Sequence, residues 1–464
     1  MVYADSEWAG QQWGTVALGD RRLGRLAVRM GACMAAHPAW SLPRQMQSPR
    51  LLRAAYGLLN HPGVSLAALT APHRAETLRR AGEQAVVLLV EDTSELNYTA
   101  QRHTQGLGPI GDGQGRGLLL HSTLAVVPDS RQVLGLAHTQ VVLRVPNPHS
   151  RRRPASAEGR VWQVSAQQVG APPAGRLWVH VSDRASDDFA YLTTCRHLGK
   201  HFLVRVRFNR KLLWPAAEPL PARHLLAHAR SLPAAPGSRY QVRVPAHHQQ
   251  PARTASVVLA WAQVTLVPPI QTPHEPAAGE RCQRQPLTVW VLRAWEPEPP
   301  ADVTEPLAWT LLSSLPIHDL ADARRYLAWY TCRWLCEDYH QCLKTGCRIE
   351  HSQLDDAADL QRLLGFAAPI AVRLLQLRQD ARHAPEVPAL QVVEPLMVKI
   401  LAQRYALDAP TLTLSEFYRH LAILGGYQNR RRDGPPGWRT LWYGWRLLSD
   451  LAAGARLVAE GAIT

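Results

Sequence analysis

The sequence predicts an α/β protein in which a mixed central sheet with flanking helices is interrupted by a β-rich insertion and bounded by helical regions at both ends. Two apolar runs carry the first part of that prediction. Ala85 to Val90 and Leu177 to Val181 each lead into an aspartate, Asp92 and Asp183, as buried strands do when they emerge at a sheet edge. From 213 to 314, short apolar β-like runs in a proline-rich stretch predict strands. The stretches 1–75 and 381–464 carry apolar residues mostly at helical spacing.

The N-terminal module, 1–75, alternates Leu18, Leu23, Leu26 and Met30 with Arg21, Arg22, Arg25 and Arg29, which predicts basic helices suited to DNA. The sheet region opens at 76 and runs to 212. After the Asp92 strand, a glycine-rich loop from Gly106 to Gly117 leads into Leu118–Val127, a Pro128-Asp129-Ser130 turn and Val133–Leu136, the pattern of a β-hairpin. That loop lacks the Gly-Lys-Ser/Thr ending of a phosphate cradle. Residues 146–175, with Arg151-Arg152-Arg153 and Pro172-Pro173, read as a mobile basic crossing. Beyond Asp183, Asp187-Asp188-Phe189 opens a helix, and Phe202–Val206 is a further strand.

Within the insertion, Tyr240–Val244, Ser256–Val267, Leu287–Leu292 and Trp309–Leu312 read as strands. The second part of the core, 315–380, turns helical from Leu320 to Leu343, with Gly346 placed to cap the end. Residues 351–380 and 411–460 are helical, separated by a proline-marked stretch.

At 464 residues, 46% hydrophobic and 19% charged, the chain suits a folded protein with more than one core. No apolar stretch reaches the roughly 18 residues of a membrane helix, and Asp5 and Glu7 do not suit a secretory leader, so a cytoplasmic location and no membrane partner are expected. The net charge of +15 favours a polyanionic partner, nucleic acid first, although an arginine-inflated composition with only four lysines is the alternative. The seven cysteines form no regular framework. Cys332, Cys336, Cys342 and Cys347 around His340 match no zinc spacing and read as small buried helix residues.

Tyr330, Arg333, Glu337 and Lys344, offset by 3, 7 and 14 residues, fall within roughly 60° of one another on a continuous helix. One face then presents a carboxylate among two cations and a phenol, as a site that must hold metal and clamp a phosphodiester requires. A stripe of salt bridges is the alternative. Strand, hairpin, strand ending in aspartate and a late helix bearing glutamate is the element order of a ribonuclease-H-like fold. Three carboxylates, Asp92, Asp183 and Glu337, can then converge on a pair of hard, oxygen-seeking cations.

The spacing Tyr330-x2-Arg333-x3-Glu337-x6-Lys344 resembles that of the insertion-sequence DDE transposases with a Tyr-Arg-Glu-Lys signature, the group that includes the transposon-five transposase. Ala17–Arg22, Glu91-Asp92-Thr93, Arg116-Gly117, His121-Ser122, Asp183-Arg184, Val372–Arg378 and Trp438–Trp445 extend the similarity nearly end to end. The resemblance implies cut-and-paste transposition by strand nicking, hairpin formation and strand transfer. Asp92, Asp183 and Glu337 would be catalytic and bind Mg²⁺, or Mn²⁺ in its place. It further implies phosphate contacts from Tyr330, Arg333, Lys344 and Arg205, and a base-stacking role for Trp309, whose alternative is a core tryptophan. Double-stranded transposon ends and target DNA would be the partners, and the C-terminal helical region would form a homodimer.

Two departures stand out: one residue is lacking between Asp20 and Arg21, and Gln341 replaces a lysine of the family. A catalytically silent repressor or domesticated derivative, and a structure-selective nuclease, are the competing readings.

Overall fold

The computed structural model describes residues 5–144, 157–213, 223–244, 252–269, 285–301, 303–383, 385–430, 433 and 436–459. The basic run Arg151–Arg153 lies outside them. In chain order the elements are α1 (Asp5–Trp13), α2 (Arg21–Ala36), α3 (Leu42–Met46), α4 (Pro49–Leu59), α5 (Leu66–Glu83), β1 (Val86–Asn97), β2 (Gly108–Ile110), β3 (Gly115–Val126) and β4 (Val133–Val142). Then follow α6 (Ala157–Val169), β5 (Leu177–Ser182), α7 (Phe189–His197), β6 (His201–Arg205), α8 (Leu225–Ser231), β7 (Tyr240–Val244), β8 (Arg253–Leu266), β9 (Leu287–Trp295) and β10 (Ala308–Ser313). Helices α9 (Leu320–Thr331), α10 (Trp334–Gln341), α11 (Ala357–His383), α12 (Pro395–Arg404), α13 (Leu414–Leu424) and α14 (Trp438–Ala459) complete the chain.

These elements form two compact units. One comprises Met1–Ala81, Thr93–Pro154 and Leu335–Thr464; the other comprises Gly82–Asp92 and Ala155–Trp334. Strand β1 and the segment around Trp334 contribute to both units.

In the first unit, local chemistry starts the helices where the sequence supplies caps. The Asp20 carboxylate accepts from Arg22 N at 2.7 Å at the start of α2, and Thr413 and Glu416 form a reciprocal capping box on α13. Helix α2 buries Ala27, Met30, Gly31 and Met34. Gly31 is required by close approach, since a Cβ there would stand 2.3 Å from the Trp13 ring of α1. Strands β3 and β4 form the expected antiparallel hairpin, and β2, unanticipated in the glycine-rich loop, pairs with β3. The end of β1 lies against β3, where Tyr98 N donates to Arg116 O at 2.9 Å. Helix α11 is tied to β4 by Gln376 Nε2 donating to Val133 O at 2.8 Å.

In the second unit the fully buried run Val87–Val90 makes the first half of β1 a central strand. Strand β5 runs parallel to β1, β6 parallel to β5, and β10, β9, β8 and β7 follow as antiparallel neighbours. The stretch expected as an inserted β subdomain thus supplies four strands that extend the same sheet, because β10 pairs directly with β6. Residues 157–169, read from sequence as part of a mobile crossing, instead form α6, which buries Val161, Trp162, Ala166 and Val169.

The helix expected from Leu320 to Leu343 is interrupted. At its break Cys332 N bonds to Trp329 O at 3.0 Å and Arg333 N to Tyr330 O at 3.1 Å, so the chain tightens to three-residue turns before α10 begins. Residues Cys342–Gly346 then widen into a π-helical turn. Gly346 does not act as the expected terminal cap. It lies within that turn, where a Cβ would stand 2.8 Å from the Trp442 ring of α14.

Candidate functional site

Strand register in the second unit decides which side chains meet. Val90 pairs with Val181 across β1 and β5, and Val181 with Leu203 across β5 and β6. Continued by two residues, the same register sets Asp92 beside Asp183 and Asp183 beside Arg205, on strands about 4.8 Å apart. Side chains alternate across a sheet, so Asp92, Asp183 and Arg205 point to one face and Glu91 and Ser182 to the other. Leu311 of β10 pairs with Arg205 and closes the row.

Helix α9 covers that face. Burial raises the Tyr330 phenol above its ordinary pKa, opposed by the charges of Arg333 and Arg205, so Tyr330 is a neutral donor. Arg333 Nη1 lies 3.8 Å from Asp92 Oδ2, an ion pair at a carboxylate whose side chain is 19% exposed. Asp183 is held by Ala185 N, which donates to Oδ1 at 2.8 Å. Burial lowers the Arg205 pKa, partly offset by Tyr330, and its buried Nε makes no hydrogen bond among the described residues. A guanidinium always charged near neutrality and holding a spare inward donor is suited to an anion.

Trp309 has the surroundings of the core alternative noted from sequence. Its indole is 7% exposed, met edge-on by Tyr330 at 5.0 Å and Trp334 at 5.8 Å between ring centroids. A side chain enclosed in this way packs as a core tryptophan does.

The opposite face hides a group whose role the sequence did not reveal. Glu91 is fully buried and accepts from Ser165 Oγ of α6 at 2.8 Å and from Tyr191 OH of α7 at 2.7 Å. His180 Nδ1 lies 3.1 Å from the same carboxylate, while burial drives the imidazole pKa down. A buried carboxylate is tolerated when its lone pairs are met in this manner. Strict alternation along β1 was the available signal, since consecutive acids on a strand cannot share one face.

Glu337 and Lys344 belong to the first unit. Glu337 is exposed in the first turn of α10, whose other side is buried: Cys336 Sγ donates to Ser122 O at 3.6 Å, and His340 Nε2 lies 3.1 Å from Ser122 Oγ. Lys344 sits half-buried in the π-helical turn. The single-helix stripe inferred for Tyr330, Arg333, Glu337 and Lys344 is therefore replaced by two helices and a turn. The structure brings Asp92, Asp183, Arg205, Tyr330 and Arg333 together within one unit, and Glu337 and Lys344 are held in the other. Among the described residues no group of three or more His, Cys, Asp or Glu is already gathered for a metal ion. Asp92 and Asp183 do offer paired, partly open oxygen donors of the kind a hard divalent cation takes alongside water and phosphate. Cys332, Cys336 and Cys342 are buried, as read from sequence, whereas Cys347 is only partly buried.

On α2, Arg21, Arg22, Arg25 and Arg29 are exposed opposite the buried face. Arg22 folds back on Asp20 at 3.1 Å, so Arg21 and Arg25 are the more extended cations. On α14, Leu448 and Ala452 are buried, whereas Tyr443, Leu447, Leu451 and Val458 form an exposed apolar stripe. No helix among the described residues is long and apolar enough to cross a membrane.

A solved cryo-EM structure of the piggyBac transposase synaptic complex with hairpin DNA is similar at 9% identity and a TM-score of 0.32, covering 94% of this chain and 76% of that one. Residues 5–64 match the transposase DNA-binding family. The chain therefore carries, across α1 to α4, a segment of the transposase DNA-binding type.

Proposed function

We propose that the chain is a DNA transposase of the DDE kind, built on a ribonuclease-H-like core, that nicks transposon ends, forms hairpins and transfers strands to target DNA. The observation that supports this reading is the parallel register Val90–Val181–Leu203, which, continued by two residues, would bring Asp92, Asp183 and Arg205 side by side. The parallel trio β1, β5 and β6, with the antiparallel hairpin β3–β4, supports the core assignment. The N-terminal family match and the basic face of α2 support DNA as partner.

Asp92 and Asp183 would hold Mg²⁺, or Mn²⁺ in its place, with Glu337 as the third carboxylate by its signature spacing. The bound ions would supply an activated oxygen nucleophile and neutralise the leaving oxygen. The protein's own part is positioning. Arg205 and Arg333 bind the phosphate beside the carboxylates, and Tyr330 donates its phenolic proton as a hydrogen bond; Lys344 would be a third cation by its signature spacing. The exposed stripe of α14 would pair with a second copy when two ends are brought together.

Incubation with the DNA flanking its gene and Mg²⁺ tests this reading. Nicks and hairpins are expected from the wild type and lost in Glu337→Ala and Asp92→Ala; equal cleavage by the variants overturns the site assignment. DNA binding without any cleavage by the wild type would identify a repressor instead.

A further inference from the structure

The chain has five phenylalanines, and four of them, Phe189, Phe202, Phe366 and Phe417, are at most 3% exposed. Phe208 is 50% exposed. It stands three residues beyond Arg205, where β6 leaves the sheet at the edge that carries Asp92 and Asp183.

This exposure is not that of a loose loop. Asp187 is 1% exposed, and its Oδ2 accepts from Arg207 N at 2.7 Å and from Phe208 N at 2.9 Å. The Arg210 guanidinium closes on Asp187 Oδ1 and donates from Nη2 to Asp187 O at 2.7 Å. A buried carboxylate thus fixes the backbone on which the ring stands. Arg207 and Arg210 each place their guanidinium carbon 5.3 Å from the ring centroid, and Arg207 and Lys211 are exposed. A half-exposed ring on a rigid mount, with two guanidinium groups lying over it, suits a flat π-system that carries phosphate charge: the base can take the exposed half of the ring while the arginines turn to its phosphates. Paired bases inside a duplex present no free face, so the fitting ligand is an unpaired base.

We infer that Phe208 is a stacking platform for an unpaired nucleobase of the DNA strand held at the carboxylate edge, with Arg207 and Lys211 on its phosphates. The inference rests on the reading of the chain as a DNA-binding enzyme.

The full chain is titrated with a single-stranded oligonucleotide carrying 2-aminopurine, whose fluorescence falls on stacking, and with a blunt duplex of matched charge. Quenching is expected with the wild type. Phe208→Leu, which keeps an apolar side chain without a ring, should lose the quenching and bind the single strand about tenfold more weakly, in the range of base–aromatic stacking. Phe208→Trp should restore both, and duplex affinity should be unchanged throughout. Retained quenching and affinity in Phe208→Leu overturn the platform while leaving DNA binding intact. Failure of the wild type to bind either probe overturns the DNA reading together with it.

Discussion

Asp92, inside β1, and Asp183, just past β5, each lie two residues beyond the paired Val90 and Val181 of these parallel strands, with the guanidinium of Arg333 drawn to Asp92 at 3.8 Å. Two carboxylates set side by side repel, and the single cation of Arg333 offsets only part of that. Replacing Asp92 by Asn should therefore leave thermal stability equal or raised, while strand nicking falls by at least about a hundredfold. Differential scanning calorimetry and a cleavage assay on the same preparation measure the two halves. A large loss of stability would show that Asp92 is structural.

Glu91 predicts the reverse pattern. Glu91→Leu strands the buried Ser165 and Tyr191 hydroxyls, and each unmatched donor costs about 1–3 kcal/mol. Urea titration should show a clear fall in the midpoint. Glu91→Gln, which keeps an acceptor oxygen, should recover a good part of it.

Trp309→Ala should behave as a core truncation, destabilising by about 3–5 kcal/mol. Its effect should fall on folding and on every reaction step alike. A stable variant impaired only at hairpin opening would restore the base-stacking role.

Acid sensitivity follows from buried imidazoles. His73 accepts from Leu136 N at 3.0 Å through Nε2, and burial pulls its pKa down to about 4; burial, with the charges of Lys344 and His121, takes His340 to about 3. Unfolded histidines take up protons near pH 6.5 and these folded ones do not. The stability they contribute is complete above pH 6.5 and is lost as pH falls toward 4, by roughly 3 kcal/mol for His73 alone. Denaturant titrations at pH 7.5 and pH 5 check the sign, and His73→Gln should flatten the dependence.

Arg21→Ala and Arg25→Ala should each reduce the slope of log affinity against log salt by about 0.9 if the residue neutralises one phosphate. Arg22→Ala should change it less, since Asp20 already engages that side chain at 3.1 Å. Fluorescence anisotropy across a salt series separates the three.

Much of the sheet was legible because strands advertise themselves through short-range alternation. Tyr240–Val244 was read with the bounds it has, and the Asp92 and Asp183 strands were found through their apolar runs. Helix α6 was missed because Pro154 and Pro172-Pro173 frame it, hiding the helical spacing of Val161, Trp162, Ala166 and Val169. The break after Thr331 carries no glycine or proline and arises from a tightened turn, so a single helical period was carried too far. Asp187 looked like part of a helix start beside Asp188, which does cap α7; its partners at 207–210 depend on where β6 ends, and only the fold supplies that. The proximity of Asp92 to Asp183 required a register between strands 91 positions apart in sequence, which no local pattern encodes.

The contact of Gly346 with the Trp442 ring means that the last helix is a buttress for the turn that bears Lys344. A protein shortened before Trp438 would keep every acidic and basic side chain of the proposed centre yet leave that turn without its backing. Any methyl group added at Gly346 would push against the same indole. Helix α14 and the turn that bears Lys344 are thus coupled through one missing side chain.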